Sequence, residues 1–420
     1  MFVYKQELDR LIAILKTNNP LYYQSFFDSS FITISNVREN LLKNHTAITE
    51  IFLGDTAVYS LIITFNNVYF NKINKDRFVH LSKEYSNFIS NPSLLNINFS
   101  AFINISSELY QLIFGEVVLP PGRIIISPDG HNFPFEALVV KKQPVTYFLN
   151  DYAVSYTYSA RYLLNNFVSY SNSFSKNFMG VAPLQYGYNT QLPALRGADN
   201  SLMRIGANFT KKDNLISNKA TRNNFLTAYN QYKIIQLYSH ASDSSNYGEP
   251  VIYFSDSALY LSDLIGDVKP ATELIVLSAC ETGTGKLYQG EGVFSFNRGF
   301  AALGIPSAIT NLWSVDNEST YRITELFYKY LTQGLPTDVA LQKAKLEFIK
   351  NFFKATYMPY YWAASVLAGK ADAIQLTKPF PWKWMIVITG VVVIAFMGWK
   401  TWKPKTKQFT PTPDTTQTSS

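Results

Sequence analysis

The sequence contains a single cysteine, Cys280, and only four histidines in 420 residues. One cysteine excludes an internal disulfide framework and any metal site built from several thiolates. The histidines are scattered and form no His-x-x-x-His pair, which argues against a zinc enzyme. We therefore expect neither a metal nor an organic cofactor.

Charged residues are scarce as well, at 16%, against 47% hydrophobic residues. This composition is too apolar for a disordered protein and predicts buried cores. The formal net charge is +7, but residues 373–420 hold six lysines and one acid, which accounts for +5 of it. The remaining 372 residues lack the basic surface of a phosphate-backbone binder, so we expect no nucleic-acid partner.

One long apolar run, residues 385–399, carries no charge. Tryptophans flank it on both sides and lysines lie outside them, which is typical of a membrane helix. Residues 384–402 come close to the roughly 20 residues needed to span a bilayer. A buried core helix is the alternative, but the basic, polar segment 403–420 that follows indicates a disordered tail. We predict a single-pass transmembrane helix at 384–402, with the lipid bilayer as a partner.

Two features of the sequence conflict over the side of the membrane on which residues 1–377 lie. The first 12 residues contain acids and no long apolar run, so they are no signal peptide, which places residues 1–377 in the cytosol. The lysines between Lys400 and Lys407 instead favour a cytosolic tail. The two signals agree if Met1 is internal to a longer, exported precursor.

The first 117 residues predict helices around one β-rich segment. Residues 48–73 alternate and are rich in β-branched and aromatic side chains, with a hairpin turn at Asn66–Asn67. The predicted helices are 2–16, 35–44, 76–90 and 99–115.

From residue 118 onward, short apolar strands alternate with helical segments. The candidate strands are 123–127, 152–158, 233–239, 250–254, 273–278 and 306–313. This alternation predicts an α/β fold with a mostly parallel sheet and helices on both faces. Ligands of such sheets gather at the carboxyl ends of the strands.

Two of these strands end in reactive side chains, His240 after 233–239 and Cys280 after 273–278. If the strands are parallel neighbours, the imidazole and the thiol emerge at one edge, as a Cys/His pair requires. A lone cysteine at such a position is more often a buried apolar residue. His131, after strand 123–127, competes with His240 as the partner, whereas His45 and His80 look incidental. The glycine-rich stretch 283–292 matches neither a Walker loop nor a G-x-S-x-G elbow.

Several blocks between about 118 and 372 make the chain recognisable by their order and spacing. They are SPDGHNFPFEAL (127–138), LPALRGA (192–198), LYSHA (237–241), IVLSACETGTG (275–285), residues 290–320, ALQKAK (340–345) and MPYYWAASVLAG (358–369). On these residues the chain resembles the CHAT family, bacterial caspase-like cysteine peptidases related to separases, caspases and gingipains.

The resemblance implies a role for each residue of the dyad. Cys280 would attack the scissile carbonyl and form a thioester, and His240 would act as general acid and base. The oxyanion hole would use the backbone N–H groups of Cys280 and Ala241. Caspase relatives usually have glycine at the second position, and alanine restricts the backbone there.

The resemblance also implies a specificity pocket just past strand 306–313, where Asp316 would receive Arg or Lys. Asp316 or Asn317 also suits the N-cap of a helix at 318–333, and the cap and pocket roles of Asp316 are compatible. Glu281 is a second candidate for the pocket. Trp313 and Trp362 are expected in the core or in the pocket wall.

Members of the family usually carry tetratricopeptide-type repeats before the peptidase, but only two short helices stand there in this chain. Either a separate repeat-bearing protein serves as sensor or regulator, or the chain is part of a longer one. The predicted organisation is N-terminal helices as a repeat remnant (1–47), a β-hairpin and helices (48–117), the CHAT caspase-like domain (118–372), the transmembrane helix (384–402) and the basic tail (403–420).

The resulting hypothesis is a membrane-anchored, caspase-like cysteine endopeptidase that cleaves a protein partner. The alternative is a catalytically silent CHAT-fold scaffold for protein–protein interaction, motivated by Ala241 and the missing repeats. A weaker third alternative is acyl transfer on small substrates.

Overall fold

The computed structural model divides into two compact units, residues 1–377 and 378–420. The residues that it describes are 2–18, 23, 31–130, 132–164, 176–188, 192–242, 250–264, 271–278, 286–288, 292–294, 296–351, 358–377, 391, 393–394 and 396–397. The domain boundaries predicted within the first unit stay predictions.

The first unit is built from alternating strands and helices. Its helices are α1 (Phe2–Asn18), α2 (Ile34–Leu41), α3 (Lys75–Ser90), α4 (Pro92–Ile97), α5 (Phe99–Phe114), α6 (Ala160–Leu164), α7 (Ala198–Gly206), α8 (Arg222–Ala228), α9 (Phe296–Ala302), α10 (Asn317–Leu331), α11 (Thr337–Asn351) and α12 (Pro359–Trp362). Short 3₁₀ turns lie at Phe135–Ala137, Phe148–Asn150, Ser217–Lys219, Tyr229–Gln231 and Leu261–Leu264.

The strands are β1 (Ala47–Leu53), β2 (Ala57–Thr64), β3 (Val68–Asn74), β4 (Gly122–Ser127), β5 (Val139–Lys142), β6 (Val145–Tyr147), β7 (Tyr152–Tyr156), β8 (Lys176–Ala182), β9 (Lys212–Ile216), β10 (Tyr232–Tyr238), β11 (Ala241–Ser242), β12 (Val251–Tyr253), β13 (Ala258–Tyr260), β14 (Leu274–Ser278), β15 (Lys286–Tyr288), β16 (Gly292–Phe294), β17 (Ser307–Asn311) and β18 (Ser365–Gly369).

Eleven of these strands form one sheet in the order β3-β2-β1-β4-β7-β18-β17-β14-β10-β8-β9. Strands β1, β4, β7 and β18 run parallel to one another, and β17, β14, β10, β8 and β9 do likewise. The two groups meet antiparallel where β17 pairs with β18. The predicted mixed α/β fold with a mostly parallel sheet is confirmed, and the reversal at β17–β18 divides the sheet into two opposed halves.

Strand β10 lies inside the sheet, between β14 and β8, and its sequence is an almost continuous apolar run. Ile234 and Tyr238 pack on one face in a core that includes Leu202 of α7. Ile235 packs on the other face with Phe225 of α8. A parallel strand covered on both faces cannot alternate between apolar and polar residues. Helices therefore cover the sheet on both sides, as predicted.

The predicted single hairpin at 48–73 is corrected to two hairpins in three strands. The turn at Asn66–Asn67 is present, with the Thr64 N–H donating to the Asn67 carbonyl at 2.9 Å. A second turn follows Gly54, whose N–H donates to the Ala57 carbonyl at 2.9 Å. Gly54 and Asp55 provide this turn within an otherwise uniform β-rich segment, whose composition alone does not reveal the break. Strand β1 then pairs with β4 and brings this segment into the large sheet.

Three strands of the large sheet, β8, β9 and β18, had no counterpart among the predicted strands. Asn177 and Gly180 interrupt the apolar run of β8. A Cβ at Gly180 would approach Leu202 of α7 to 2.9 Å and the Asn214 side chain to 2.5 Å. Glycine is used here so that α7 and β9 pack closely on β8, a requirement that a single-sequence pattern does not reveal.

Among the described residues, no helix combines the length and the apolarity that crossing a bilayer requires. Only five positions of the predicted span 384–402 are described, and all five are exposed and helical: Val391, Val393, Ile394, Phe396 and Met397. The other residues of that span and the predicted tail 403–420 lie outside the described part of the chain.

A buried ion pair joins α11 to the turn after β4. Lys345 Nζ lies 2.9 Å from Glu136 Oε1, and the two side chains are 1% and 2% exposed. Tyr156 donates its hydroxyl to the same carboxylate, and the Phe135 N–H donates to the Tyr156 hydroxyl at 2.7 Å. Burial and the Glu136 charge raise the pKa of Tyr156 well above its usual range, so it remains a donor. The pair is stable only while both charges are present, because neither has access to water.

We expect Lys345→Met to lower the free energy of unfolding by about 3–5 kcal/mol, since Glu136 is left as an uncompensated buried charge. The double variant Glu136→Gln/Lys345→Met should recover much of this loss. Urea unfolding of the full chain measures both, with Lys350→Met, an exposed site on the same helix, as the control. Equal stability of the Lys345 and Lys350 variants would contradict the assignment.

His45 lies in the turn before β1, close to Arg123 of β4. Burial, together with the Arg123 guanidinium, lowers the pKa of His45 to about 3. The same Arg123 pairs with Asp338 of α11, with 2.8 Å between Nε and Oδ2. Burial raises the pKa of Asp338 despite that pairing, so its effect on stability has the opposite sign to that of His45.

We expect His45→Gln to reduce the acid sensitivity of the fold. A histidine in an unfolded chain has a pKa of about 6.5. Below that pH the unfolded chain therefore binds a proton that folded His45 does not bind. The resulting loss of stability is absent above pH 6.5 and grows as the pH falls toward 3. Between pH 7.5 and 5 the wild type should lose about 2 kcal/mol more than His45→Gln. His80→Gln, at an exposed position of α3, is the matched control and should behave like the wild type.

Candidate active site

Strands β10 and β14 are parallel neighbours, and their pairing brings Tyr238 opposite Ser278. His240 follows Tyr238 by two residues, and Cys280 follows Ser278 by two residues. The two predicted dyad positions therefore follow the same rung of adjacent strands, which lie about 4.8 Å apart in any sheet. The structure describes His240, whereas Cys280 and its neighbour Glu281 lie outside the described residues.

The topology gives the direction of the strand that precedes the competing histidine, His131. Strand β4, which precedes His131, belongs to the half of the sheet that runs opposite to β10. Its carboxyl end is therefore at the other edge from His240. His131 itself lies outside the described residues, but the strand before it leads away from the candidate site. The prediction depended on the direction of β4, which the sequence does not encode locally.

The imidazole of His240 is held by a backbone carbonyl. His240 Nε2 lies 2.8 Å from the Pro193 carbonyl oxygen. Because a carbonyl only accepts, this bond assigns the proton of the neutral ring to Nε2 and leaves Nδ1 as the basic nitrogen. Pro193 belongs to the LPALRGA segment, so two of the blocks quoted above meet at the imidazole.

Tyr186 packs against the same histidine. Its ring centroid lies 5.2 Å from that of His240, and its hydroxyl accepts the His240 backbone N–H at 3.2 Å. Ser239 donates its hydroxyl to the Tyr253 carbonyl, which ties the end of β10 to β12. Sequence reasoning missed Tyr186, because nothing in the pattern around it indicates a contact with a residue more than fifty positions away.

The loop that carries Tyr186 and Pro193 contains a residue in an unusual conformation. Leu184 has a φ of 58°, a left-handed value that is costly for a residue with a branched side chain. Its carbonyl accepts the Leu195 N–H at 3.1 Å, which connects the two ends of the loop. Strain of this kind persists where the surrounding contacts determine the backbone, and here it lies beside the candidate site.

Ala241 begins the short strand β11, opposite Ile252 of β12. The preceding pair is hydrogen-bonded, because the Tyr253 N–H donates to the His240 carbonyl at 2.9 Å. Hydrogen-bonded and non-hydrogen-bonded pairs alternate in an antiparallel ladder, so the Ala241 N–H is directed away from β12. Alanine adopts the extended backbone of a strand without strain, so glycine is not needed here.

A cavity of about 230 Å³ lies beside His240 at the carboxyl ends of β10, β14 and β17. Its described lining consists of residues 193–195, 238–240, Ser278, Asn311, Ser314, Val315, Asn317, Thr320 and Tyr321. The segment that follows β17 thus supplies part of the wall, where the resemblance implied a specificity pocket.

Asp316 is the N-cap of α10, and its Oδ1 accepts the Ser319 N–H at 3.0 Å. The cap role is confirmed. The described wall of the cavity includes its neighbours Val315 and Asn317 but not Asp316. Its role in binding a basic side chain stays a prediction.

The two tryptophans are both buried, as expected. Trp313 donates its Nε1–H to the Tyr360 carbonyl at 3.0 Å, and Trp362 packs edge-on against Tyr147 at 5.3 Å. Within the described part of the chain, no three His, Cys, Asp or Glu side chains are close enough together to hold a metal ion.

The CHAT domain family model matches residues 104–370, which is more than half of the chain. The chain belongs to the CHAT domain family. No curated protein matches it in sequence. The blocks by which the CHAT domain resembles its family contact one another in pairs: Pro193 with His240, Glu136 with Lys345, and Trp313 with Tyr360.

Solved structures resemble the CHAT chain in fold. A chain of the Saccharomyces cerevisiae separase–securin complex matches with a TM-score of 0.54 and 11% identity, covering 86% of this chain and 33% of that one. The Arg-specific cysteine proteinase gingipain R matches with a TM-score of 0.43 and 10% identity, covering 64% and 68%. The complex of Porphyromonas gingivalis RgpB pro- and mature domains gives 0.44 and 11%, covering 73% and 80%. The CHAT chain thus spans about a third of the yeast chain, and the similarity concerns the fold alone.

Proposed function

We propose that this CHAT protein is a cysteine endopeptidase with Cys280 as the nucleophile and His240 as the general acid and base. The observation that carries the proposal is the register of β10 and β14, in which both residues follow the same rung of neighbouring parallel strands. The caspase-like fold of a CHAT domain and the cavity beside His240 support it. The protein partner cleaved by the enzyme is part of the proposal.

The chemistry follows from the protonation of His240. Nδ1 takes the thiol proton of Cys280, and the thiolate then attacks the scissile carbonyl carbon. When the carbon–nitrogen bond breaks, Nδ1–H protonates the leaving amine and a thioester remains on Cys280. Water, deprotonated by Nδ1, then attacks the thioester carbonyl, the carbon–sulfur bond breaks to release the acid, and Nδ1–H returns its proton to the Cys280 sulfur. The Pro193 carbonyl orients the ring throughout by accepting from Nε2.

The tetrahedral intermediate requires donors for its oxyanion. In our proposal the backbone N–H groups of Ala241 and Cys280 fill this role. The direction of the Ala241 N–H away from β12 supports its part. Loss of one such donor typically costs about 10²–10³ in rate.

Replacement of Cys280 by alanine should abolish cleavage of peptides while leaving the unfolding transition unchanged. His240→Ala should lower kcat/KM by at least about 10³, because the imidazole both activates the thiol and protonates the amine. His80→Ala serves as the matched control. The measurement is hydrolysis of a peptide library by the full chain in detergent.

Thiol labelling separates the peptidase from the silent-scaffold alternative. In a working dyad, Cys280 should react with a peptidyl electrophile much faster than with a generic one, and His240→Ala should remove the difference. Equal, slow labelling in both proteins would favour the scaffold. Peptide cleavage that persists unchanged in Cys280→Ala would contradict the proposed nucleophile.

The membrane anchor is a further part of the proposal, and it rests on the sequence of residues 384–402. A tetratricopeptide-repeat-bearing regulator likewise stays a proposed partner, and this proposal rests on the resemblance to the CHAT family. We expect the full chain to float with lipid vesicles in a density gradient and to resist extraction at alkaline pH. A variant ending at Thr377 should stay at the bottom of the gradient, and flotation of both would show that residues 384–402 do not provide the anchor.

A further inference from the structure

The tyrosine beside His240 is held in place by its own surroundings. Tyr186 is 4% exposed and packs in the core that also contains Leu195 and Tyr238. The loop around it is fixed as well, because the Leu184 carbonyl accepts the Leu195 N–H at 3.1 Å. A buried ring in a close-packed core occupies one rotamer on average. Tyr186 therefore presents a fixed surface to the histidine.

The hydroxyl of Tyr186 belongs to a chain of hydrogen bonds that runs in one direction. It accepts the backbone N–H of His240 at 3.2 Å and lies 3.4 Å from Ser239 Oγ. Ser239 donates its single proton to the Tyr253 carbonyl, so Tyr186 is the donor in its contact with Ser239. The chain ends on the backbone of β12, which pairs with the strand that begins at Ala241. The backbone of His240 is thereby fixed relative to β12.

The ring of Tyr186 restricts the rotation of the imidazole. The two ring centroids are 5.2 Å apart, and the ring planes are inclined at 55°. The imidazole turns about two side-chain bonds, whereas the Pro193 carbonyl fixes only the direction of Nε2. Rotation about the axis of that hydrogen bond would still move Nδ1, which is the basic nitrogen. A second contact is needed to prevent this rotation, and the Tyr186 ring provides it.

We propose that Tyr186 is a positioning residue that keeps Nδ1 of His240 in one orientation. This inference rests on the proposed peptidase function and adds to it a residue outside the dyad. Tyr186 acts through His240, since the described wall of the cavity includes Ser239 and His240 but not Tyr186. Loss of Tyr186 therefore slows the chemical step and leaves substrate binding unchanged.

Two substitutions separate the ring from the hydroxyl. Tyr186→Phe keeps the ring and its packing but removes the acceptor of the His240 N–H, whereas Tyr186→Leu removes the ring as well. Tyr188 lies in the same loop and is 45% exposed, so Tyr188→Phe and Tyr188→Leu are matched controls. Peptide hydrolysis by the full chain in detergent gives kcat and KM, and urea unfolding verifies that each variant is folded.

Tyr186→Phe should lower kcat about tenfold, because a buried N–H loses its acceptor. Tyr186→Leu should lower kcat about 10²-fold, because a small misplacement of a catalytic group is costly. KM should change less than about twofold in both variants. The two Tyr188 variants should keep the kcat and KM of the wild type.

The tautomer of His240 gives a readout that does not depend on cleavage. The chain has four histidines, so comparison with His240→Gln identifies the signals of this ring in ¹⁵N NMR spectra. At a pH where the ring is neutral, the wild type should carry the proton on Nε2. Tyr186→Leu should show a mixture of both tautomers, whereas Tyr188→Leu should match the wild type.

Wild-type kcat in both Tyr186 variants, or a loss that appears solely in KM, would overturn the inference and leave the peptidase intact. An unchanged tautomer in folded Tyr186→Leu would overturn it too. Should Tyr186→Leu not fold, the kcat of Tyr186→Phe decides. If the wild type cleaves no peptide and Cys280 shows no selective labelling, the proposed function fails, and the role of Tyr186 in catalysis fails with it.

Discussion

The parallel pairing of β10 with β14 is the contact on which the candidate site depends. Its register brings Tyr238 opposite Ser278, and the next two residues of each chain lead to the proposed base and nucleophile. The pairing is stabilised from both faces, because α7 and α8 pack on opposite sides of β10. A shift of one residue in this register would reverse every side chain and separate the dyad positions. Packing of the core thus sets the geometry of the chemistry.

The site is closed by a loop from elsewhere in the chain. The segment between Leu184 and Leu195 brings the Tyr186 ring and the Pro193 carbonyl to His240. The Pro193 carbonyl also fixes the tautomer, while residues 193–195 form one wall of the cavity. The orientation of the His240 imidazole and the shape of the cavity beside it therefore depend on the same few residues.

Buried charges connect the outer half of the sheet to the helices that cover it. Glu136 pairs with Lys345, and Arg123 pairs with Asp338, both across long stretches of sequence. Such pairs add little net stability compared with apolar contacts, but breaking one is costly. Their effect is to favour one arrangement of α11 on β4 and β7 over its alternatives. In the half of the sheet that contains β4 and β7, the family blocks contact one another within the fold, as Glu136 and Lys345 do. In the half that contains β10 and β14, they form the candidate site, where Pro193 contacts His240.

The sequence by itself located strands β4, β7, β10, β12, β14 and β17, the positions of His240 and Cys280 just after two of them, and a helix cap at Asp316 or Asn317, but it did not locate β8, β9 and β18. These features are local: apolar runs, turn residues and capping side chains act within a few positions. The tertiary structure alone decided the direction of β4, the strand that precedes His131. It also decided that Asn317 lines the cavity while Asp316 caps a helix, and that Tyr186 contacts His240. These depend on contacts between residues far apart in the chain, which no local pattern records.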